Sequence, residues 1–230
     1  MLIKLKRYLK TTWVWNIYKW YERQKHKKRA KYLQIEGSEL LNQFSKALCE
    51  KGIIFWPDFG SLLGYYREHD FIKGDFDLDF AIFLKDIDAV KEVLPKYGFV
   101  QVKEFTSLNN GGKELCYRYK HTTIDVFCYR EEEDHIYCNS FTVRDYYGLN
   151  KKSTALVKKI VLPKSKFVEA EYKGSKIYVP EDTETYLKCH YGETFMIPNP
   201  KFDYKKEATN ITYYQYEEMP GEFVYYEMIR

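Results

Sequence analysis

The chain has 230 residues, of which 45% are hydrophobic and 18% aromatic, so it is long enough to bury a core and wholesale disorder is excluded. Its five cysteines are scattered without a Cys-x-x-Cys pair, which argues against a disulfide framework or a zinc knuckle and favours a reducing compartment. The net charge of +4 conceals a strongly basic start: residues 1–32 carry eleven Lys/Arg and one acid, Glu22.

Residues 2–32 are predicted to form one basic amphipathic helix. Apolar side chains recur there at spacings of three and four, which places them on one face: Leu2, Leu5, Leu9, Trp13, Ile17 and Trp20. A basic helix that carries tryptophan is typical of segments lying flat on an anionic membrane surface. Docking onto the body or a partner subunit is the alternative, and binding of nucleic acid is the least favoured interpretation.

No stretch of the sequence is apolar for long enough to span a bilayer, and the N-terminus lacks the apolar run of a signal peptide. We therefore expect a cytoplasmic protein that is peripheral on the inner face of the membrane.

From residue 36 onwards, helices and strands are predicted to alternate. A helix over Glu36–Lys51 ends at Gly52, because glycine is favoured just past a helix C-terminus. There follow a strand at Ile53–Trp56, a turn over Phe59–Gly64 that leads into a short helix carrying Tyr65, Tyr66 and Arg67, a strand at Asp77–Phe83, a helix from Asp86 to about Tyr97, and a strand at Phe99–Phe105.

Strands dominate the remainder. After a turn at Asn109–Gly112, strands are predicted at Glu114–Lys120, Thr122–Tyr129, Ile136–Val143 and Ser175–Val179, and then a helix at Glu181–Tyr191. The order of elements indicates an α+β domain with a mixed sheet flanked by helices. We divide the chain into the basic helix 1–34, a body 35–200 and an aromatic-rich extension 201–230, in which no element is predicted.

Three aspartates are candidates for a metal site. On a strand, Asp77 and Asp79 project from one face while Leu78 and Phe80 enter the core. A second such pair, Asp86-Ile-Asp88, opens a helix, where aspartate is expected as a cap. Aspartate is disfavoured in strands, so Asp77, Asp79 and also Asp125 within Thr-Ile-Asp-Val-Phe require another explanation. A shared Mg²⁺ or Mn²⁺ is the one we favour.

A glycine-serine turn precedes the acidic pair. Gly60 and Ser61 lie between a buried strand and a helix, where main-chain N–H groups can approach a phosphate. Alone this is a weak signal, but upstream of two carboxylates it predicts a phosphate clamp that faces a metal.

These motifs together resemble a known family. Gly-Ser-Leu-Leu-Gly-x-x-Arg, then Phe-Ile and Asp-x-Asp-x-Asp, resemble the signature of the LicD and fukutin family, and Ile-Asp-Val-Phe resembles its third acidic motif. Val179-Pro180, Tyr191-Gly192-Glu193 and Pro198 are similar to its closing segment. Where the phosphocholine branch has Pro-Trp-Asp-Asp-Asp, this chain has Lys73-Gly-Asp-Phe-Asp77, which puts choline in doubt. The Tyr-Tyr-Arg-Glu sequence at 65–68 leans towards the fukutin side.

The resemblance implies a nucleotidyltransferase-like fold, similar to polymerase beta, that transfers a phosphocholine or phospho-alditol group from a CDP-linked donor to a glycan hydroxyl. Asp77 and Asp79 would hold the metal, and Asp125 would complete its shell or accept the acceptor's proton. Gly60, Ser61, Arg67, Lys73 and Tyr191 are the expected substrate-binding residues. A salt bridge with a neighbouring acid is the alternative for Arg67, and His190 is interpreted as a packing residue.

Two other functions stay open. A nucleotidyltransferase that passes NMP from an NTP would use the same three aspartates. A non-catalytic protein that acts through the basic helix on a membrane or a nucleic acid would need none of them.

Overall fold

The structure is a computed structural model that describes residues 13–199 and 202–227. Its first element is α1 (Trp13–Glu50), a helix of 38 residues. The separation into two helices was wrong, because Leu33 and Leu40 lie fully buried on one face of a continuous helix. Residues 2–12 of the predicted basic helix lie outside the described residues.

Gly37 lies inside α1 at a point of close packing. A Cβ atom on this residue would stand 2.8 Å from the Phe71 ring and 2.9 Å from Leu33. Glycine here lets the helix approach the body and does not end it.

The remaining elements follow in chain order. They are β1 (Phe55–Pro57), α2 (Phe59–Leu63) continued by a π-helical turn at Gly64–Glu68, β2 (Asp77–Phe83), α3 (Ile87–Val93) flanked by 3₁₀ turns at Leu84–Asp86 and Leu94–Tyr97, β3 (Val100–Ser107), β4 (Lys113–Tyr119) and β5 (Thr122–Glu131). The second half comprises β6 (His135–Asp145), β7 (Lys152–Pro163), β8 (Phe167–Tyr172), β9 (Ser175–Pro180), α4 (Thr183–Tyr191), α5 (Tyr204–Glu207), β10 (Ile211–Tyr213) and β11 (Pro220–Tyr225).

One large mixed sheet organises the described part of the chain. Its nine strands run in the order β1-β2-β5-β4-β3-β11-β7-β10, and β6 pairs with both β5 and β7. Because β6 joins these two, the six strands β3, β4, β5, β6, β7 and β11 close into a ring. Only β2 and β5 pair in parallel among the described strands. β8 and β9 form a separate hairpin.

Helices cover both faces of β2. Phe80 and Ile82 pack with α1 and α3 in one core cluster, and Ala81 and Phe83 pack with α4 in another. The prediction of an α+β fold with a mixed sheet flanked by helices, and with a helix at the N-terminus, is confirmed.

The predicted segment boundaries fall within packed structure. Residue 34 lies inside α1, and the extension 201–230 supplies β11, an inner strand between β3 and β7. Phe223 of β11 is buried against Phe105 and Phe141 inside the ring of strands. Among the helices of the described residues, none has the length and the apolar content required to cross a membrane.

Candidate active site

The acidic face of β2 is the centre of the site. Asp77 and Asp79 are partly exposed, whereas Leu78 and Phe80 between and after them are buried. Asp79 is the parallel partner of Asp125 on β5, so the two carboxylates share a face of the sheet. The strand predicted at Asp77–Phe83 and its alternation are confirmed, and the structure brings the three predicted acids together.

A half-buried lysine lies in the same cross-strand row. Lys103 on β3 pairs with Cys116 on β4, which pairs with Asp125 on β5. Burial alone would lower the pKa of Lys103, but the nearby acidic groups, Asp125 foremost, raise it above its usual value. Its Nζ atom lies 3.9 Å from Asp125 Oδ1. Lys103 was not predicted, because only the register of three strands places it beside Asp125.

The carboxylates of Asp77, Asp79 and Asp125 repel one another in a partly buried environment. Burial, followed by the charge of Asp125, raises the pKa of Asp77 to about 7. Burial and the charge of Asp77 raise the pKa of Asp79 well above its usual value. Asp77 Oδ2 lies 3.7 Å from Arg29 Nη2, a cation that comes from helix α1. Such mutually raised pKa values indicate carboxylates that are short of a positive partner.

A fourth acid, Asp75, approaches Asp79 around Gly60. A Cβ atom on Gly60 would stand 2.8 Å from Asp75 Oδ2 and 3.8 Å from Asp79 Oδ2. Burial raises the pKa of Asp75, against the opposing charge of Arg67. A side chain at position 60 would therefore displace the Asp75 carboxylate. Asp75 was not among the predicted site residues, although the Asp-x-Asp-x-Asp motif contains it.

The donor set fits a hard divalent cation. Within the described ranges, no three His, Cys, Asp or Glu side chains are already placed to hold a metal between them. However, Asp125 Oδ1 is buried without a hydrogen-bond partner in the described structure, and Asp75 and Asp79 converge on the space beside Gly60. Mg²⁺ takes one or two carboxylates together with substrate phosphates and water, so a closed protein cage is not required.

The glycine-serine turn is bound to the acidic strand on both sides. Ser61 Oγ accepts a hydrogen bond of 2.8 Å from Asp79 N, and Asp58 N donates one of 2.9 Å to Asp79 O. Ser61, predicted to bind phosphate, thus positions Asp79 with its hydroxyl oxygen.

Beneath this turn lies a buried polar group that the sequence did not predict. Asp58, the N-cap of α2, accepts hydrogen bonds from Phe59 N, from Tyr129 Oη and from His190 Nε2. On its other side, His190 Nδ1 lies 3.0 Å from Tyr204 Oη. His190 is fully buried, in agreement with its interpretation as a packing residue.

Two adjoining cavities open at the acids and share Asp75 and Tyr191 in their walls. The larger, of about 540 Å³, contains three predicted substrate residues, Arg67, Lys73 and Tyr191. The smaller, of about 330 Å³, is lined by Gly60, Asp77 and Asp79. Ser61 and Asp125 line neither of them. The larger cavity also has apolar walls, from Ile72, Phe195, Ile197, Pro198 and Phe202.

Arg67 forms a salt bridge with a neighbouring acid, which was the alternative role predicted for it. Its Nε donates to Glu68 Oε1 at 2.7 Å, and its Nη1 donates to Phe195 O at 3.0 Å. These contacts hold the guanidinium at the wall of the larger cavity, so the ion pair and the cavity position coexist.

Comparisons with known proteins identify the family. Residues 52–182 match the family model described as LicD/FKTN/FKRP, nucleotidyltransferase domain. The chain is 31% identical over 182 residues to the human ribitol-5-phosphate transferase FKTN and 32% identical over 182 residues to the mouse protein of that name. Both alignments cover 76% of this chain and 36% of the relative.

The crystal structure of the lincosamide antibiotic adenylyltransferase LnuA with lincomycin is similar at a TM-score of 0.39 and 16% identity, over 64% of this chain and 84% of that one. The chain spans about a third of the length of the curated relatives that it matches. Its match to the family model covers more than half of its own residues, and the acidic strands and the glycine-serine turn lie within that match. The chain belongs to the LicD/FKTN/FKRP family.

Proposed function

We propose that this protein is a metal-dependent transferase with a nucleotidyltransferase-like fold. It moves a phospho-substituted group from a CDP-activated donor to a hydroxyl of a cell-surface glycan. The observation that carries this proposal is the set of strand carboxylates, Asp77, Asp79 and Asp125, on one face of the sheet beside two adjoining cavities. Family membership supports the class of reaction.

Asp77, Asp79 and Asp125, with Asp75, are the residues that would hold Mg²⁺ or Mn²⁺. A divalent cation bound there supplies charge compensation for the donor diphosphate and the departing CMP. The other contribution of the protein is to position the donor and the acceptor, because phosphoryl transfer needs little covalent participation from the protein.

The larger cavity suits the donor. Its apolar and aromatic walls can receive a base or a sugar, and Arg67 and Lys73 place two cations near Asp75, where a diphosphate would lie. The main chain at Gly60 and Ser61 is proposed to bind phosphate oxygens. Tyr191, which lines both cavities, would contact the group being transferred.

In the transfer step, the acceptor oxygen forms a bond to the phosphorus that carries the cargo, and the bond from that phosphorus to CMP breaks. The acceptor's proton leaves to Asp125 or to solvent. We propose a phospho-alditol as the cargo in preference to phosphocholine, because Phe76 replaces an acid of the phosphocholine-branch motif and the mammalian relatives are named ribitol-5-phosphate transferases.

We further propose that the basic helix lies on the anionic inner face of a membrane. Ile17, Trp20 and Tyr21 fall on one face of α1 and are 52%, 61% and 60% exposed. These three side chains do not dock onto the body, although docking was the main alternative. Lysine and arginine surround them in the sequence, as expected of an interfacial helix.

The test of the transferase uses purified protein and two matched double variants. Thermal shifts and turnover are measured with CDP-ribitol, CDP-glycerol, CDP-choline, CTP and ATP, each with Mg²⁺ and with EDTA. We expect CDP-linked ligands to stabilise the parent only when metal is present. Asp77→Asn/Asp79→Asn should abolish transfer, and Asp86→Asn/Asp88→Asn, the other Asp-x-Asp pair, should retain it.

A preference for an NTP over every CDP-linked ligand would instead favour transfer of NMP. Transfer by the Asp77→Asn/Asp79→Asn variant at the parent rate would refute the proposed site.

A further inference from the structure

Helix α1 sends one arginine into the acidic site from outside the region that the family model matches. Arg29 Nη2 donates a hydrogen bond of 3.0 Å to Thr123 Oγ1 and lies 3.7 Å from Asp77 Oδ2. Thr123 is the strand partner of Asp77, so the guanidinium lies over the first residue of the acidic strand. The matched region begins only at residue 52.

An aromatic ring fixes the position of this guanidinium. The Arg29 group lies 4.3 Å from the centre of the Phe76 ring, and the His26 ring stacks on the same phenylalanine at 4.8 Å. Phe76 stands between Asp75 and Asp77, in the place of the acid that the phosphocholine-branch motif has there. The side chain of Arg29 is only 16% exposed. In this chain, Arg29 and the Phe76 ring beneath it therefore occupy the position where the phosphocholine-branch motif has a further carboxylate.

The contacts of Arg29 leave its binding capacity largely unused. Both polar contacts engage Nη2, and no hydrogen bond from Nη1 or Nε to another described residue is present. The separation from Asp77 is longer than the roughly 2.8 Å of a charge-assisted hydrogen bond. A guanidinium presents five N–H donors in a planar fork that matches two oxygens of a phosphate. The pair with Asp77 is thus loose, and an incoming anion can replace it.

We propose that Arg29 binds a phosphate group of the donor and that the same side chain competes with the metal for Asp77. The phosphate is the diphosphate of the nucleotide-linked donor, so the inference rests on the proposed function. With a cation held at Asp77, the Arg29 guanidinium would turn from the carboxylate to phosphate oxygens, and the Phe76 ring would keep it over the site. Helix α1 is then a wall of the active site as well as a basic surface.

Two binding measurements with opposite expected signs test the role of Arg29, and neither requires turnover. Isothermal titration calorimetry measures Mn²⁺ binding to the ligand-free protein and then pyrophosphate binding to the Mn²⁺-saturated protein. Arg29→Gln removes a positive charge beside Asp77, so Mn²⁺ should bind about threefold to tenfold more tightly. Pyrophosphate should bind about tenfold or more weakly, because its guanidinium partner is lost.

Controls separate this role from a structural one. Arg23→Gln makes the same change at an exposed arginine of the same helix and should alter neither affinity. Arg29→Lys keeps the charge but loses the fork, so it should leave the Mn²⁺ affinity near that of the parent and weaken pyrophosphate by an intermediate factor. Circular dichroism and thermal unfolding confirm that each variant is folded.

The proposal is overturned if Arg29→Gln leaves pyrophosphate affinity unchanged, or if it moves both affinities in the same direction, as loss of a structural contact would. It also fails if the Mn²⁺-loaded parent does not bind pyrophosphate. A parent that binds pyrophosphate through Arg29 but turns over no CDP-linked donor would keep this inference and remove the proposed function. If Arg29→Gln turned over the CDP-linked donor with an unchanged KM, the proposed function would stand and the role of Arg29 would be excluded.

Discussion

His190 Nε2 lies 2.9 Å from Asp58 Oδ1, and neither side chain is accessible to solvent. The second carboxylate oxygen of Asp58 accepts a hydrogen bond of 2.7 Å from Tyr129 Oη. The main-chain N–H of Asp58 donates to the carbonyl of Asp79. The buried carboxylate of Asp58 thus joins helix α4, the start of α2 and β5, and its main chain joins the acidic strand β2.

Replacing this carboxylate should destabilise the fold. Asp58→Asn keeps the shape of the side chain but removes the charge and one acceptor, so Tyr129 or His190 loses its partner in a buried position. We expect the free energy of unfolding, measured with urea, to fall by about 2–4 kcal/mol. Asp86→Asn is the control, because Asp86 makes no side-chain capping bond. Equal urea midpoints for the two variants would contradict a stabilising role of Asp58.

Gly60→Ala should separate stability from metal binding. Position 60 lies in helix α2, where alanine is favoured over glycine by up to about 1 kcal/mol, so the fold should be retained. The added Cβ atom would stand 2.8 Å from Asp75 Oδ2 and displace that carboxylate. We expect Mn²⁺ affinity, measured by calorimetry, to fall about tenfold while the thermal midpoint stays at or above that of the parent. An unchanged affinity would show that Asp75 and Asp79 do not share the ion.

Glu114 should make the fold less stable at neutral than at acidic pH. This carboxylate is 5% exposed, and its burial raises its pKa from 4.5 to about 7. The charged groups around it are Lys103 on β3, Asp125 on β5 and Lys158 on β7, and Phe141 N of β6 donates to it at 3.1 Å. The native state binds the proton more tightly than the unfolded chain does. The stability contributed by this group is therefore lost as pH rises from about 4.5 through 7.

Glu114→Gln should remove the loss of stability that the parent shows as the pH rises. Urea unfolding in EDTA at several pH values should show the variant gaining on the parent with rising pH, by on the order of 1–3 kcal/mol at pH 8 relative to pH 4.5. The difference between the two proteins cancels the titration of the other acids that they share. A constant difference across the pH range would mean that Glu114 titrates normally.

The exposed side chains of Ile17, Trp20 and Tyr21 on α1 should determine membrane binding. Ile17→Glu/Trp20→Glu places negative charge on the apolar face and should reduce co-sedimentation with phosphatidylserine-containing vesicles at least tenfold. Vesicles of phosphatidylcholine alone should bind the parent weakly. Ile35→Glu alters a residue of the same helix that is 65% exposed and should have little effect. Parent-like binding by the double variant would exclude this face as the membrane contact.

Phe223→Ala should show that the C-terminal strand belongs to the core. Phe223 is 1% exposed and lies against Phe105 and Phe141, so its truncation should cost about 3–5 kcal/mol of unfolding free energy. Tyr226→Ala, at a residue that is 42% exposed, is the control and should cost less than about 1 kcal/mol. Similar unfolding midpoints for the two would mean that β11 is dispensable.

The elements that the sequence predicted are those whose signal is local. The alternation Asp-Leu-Asp-Phe from Asp77 to Phe80 indicates a strand with an acidic face, and the structure has that strand with the same bounds. Asp125 was identified because a carboxylate within an apolar β-forming run is costly without a partner. Strands β7, β8, β10 and β11 were not predicted. β10 and β11 pair with strands that are distant in the sequence, whereas β7 and β8 pair with their sequence neighbours β6 and β9 and were missed for want of a clear local pattern.

The missed site residues share the same cause. Arg29 meets Asp77, Lys103 meets Asp125 and His190 meets Asp58 only after the helix and the strands have packed. In the sequence Arg29 is one of many basic residues on a helix, and Lys103 is one lysine in a strand. Only Asp75 carried a local signal that could have identified it, namely its place in the Asp-x-Asp-x-Asp motif.

The position of β11 has a consequence for how the protein is made. β11 follows all the other described strands in the sequence, yet it lies between β3 and β7, so both neighbours emerge from the ribosome before it does. During synthesis these two strands carry unpaired N–H and C=O groups along open edges, which are liable to associate with other chains. We therefore expect closure of the strand ring to be a late step of folding, in which chaperones that cover exposed strand edges would raise the yield of folded protein.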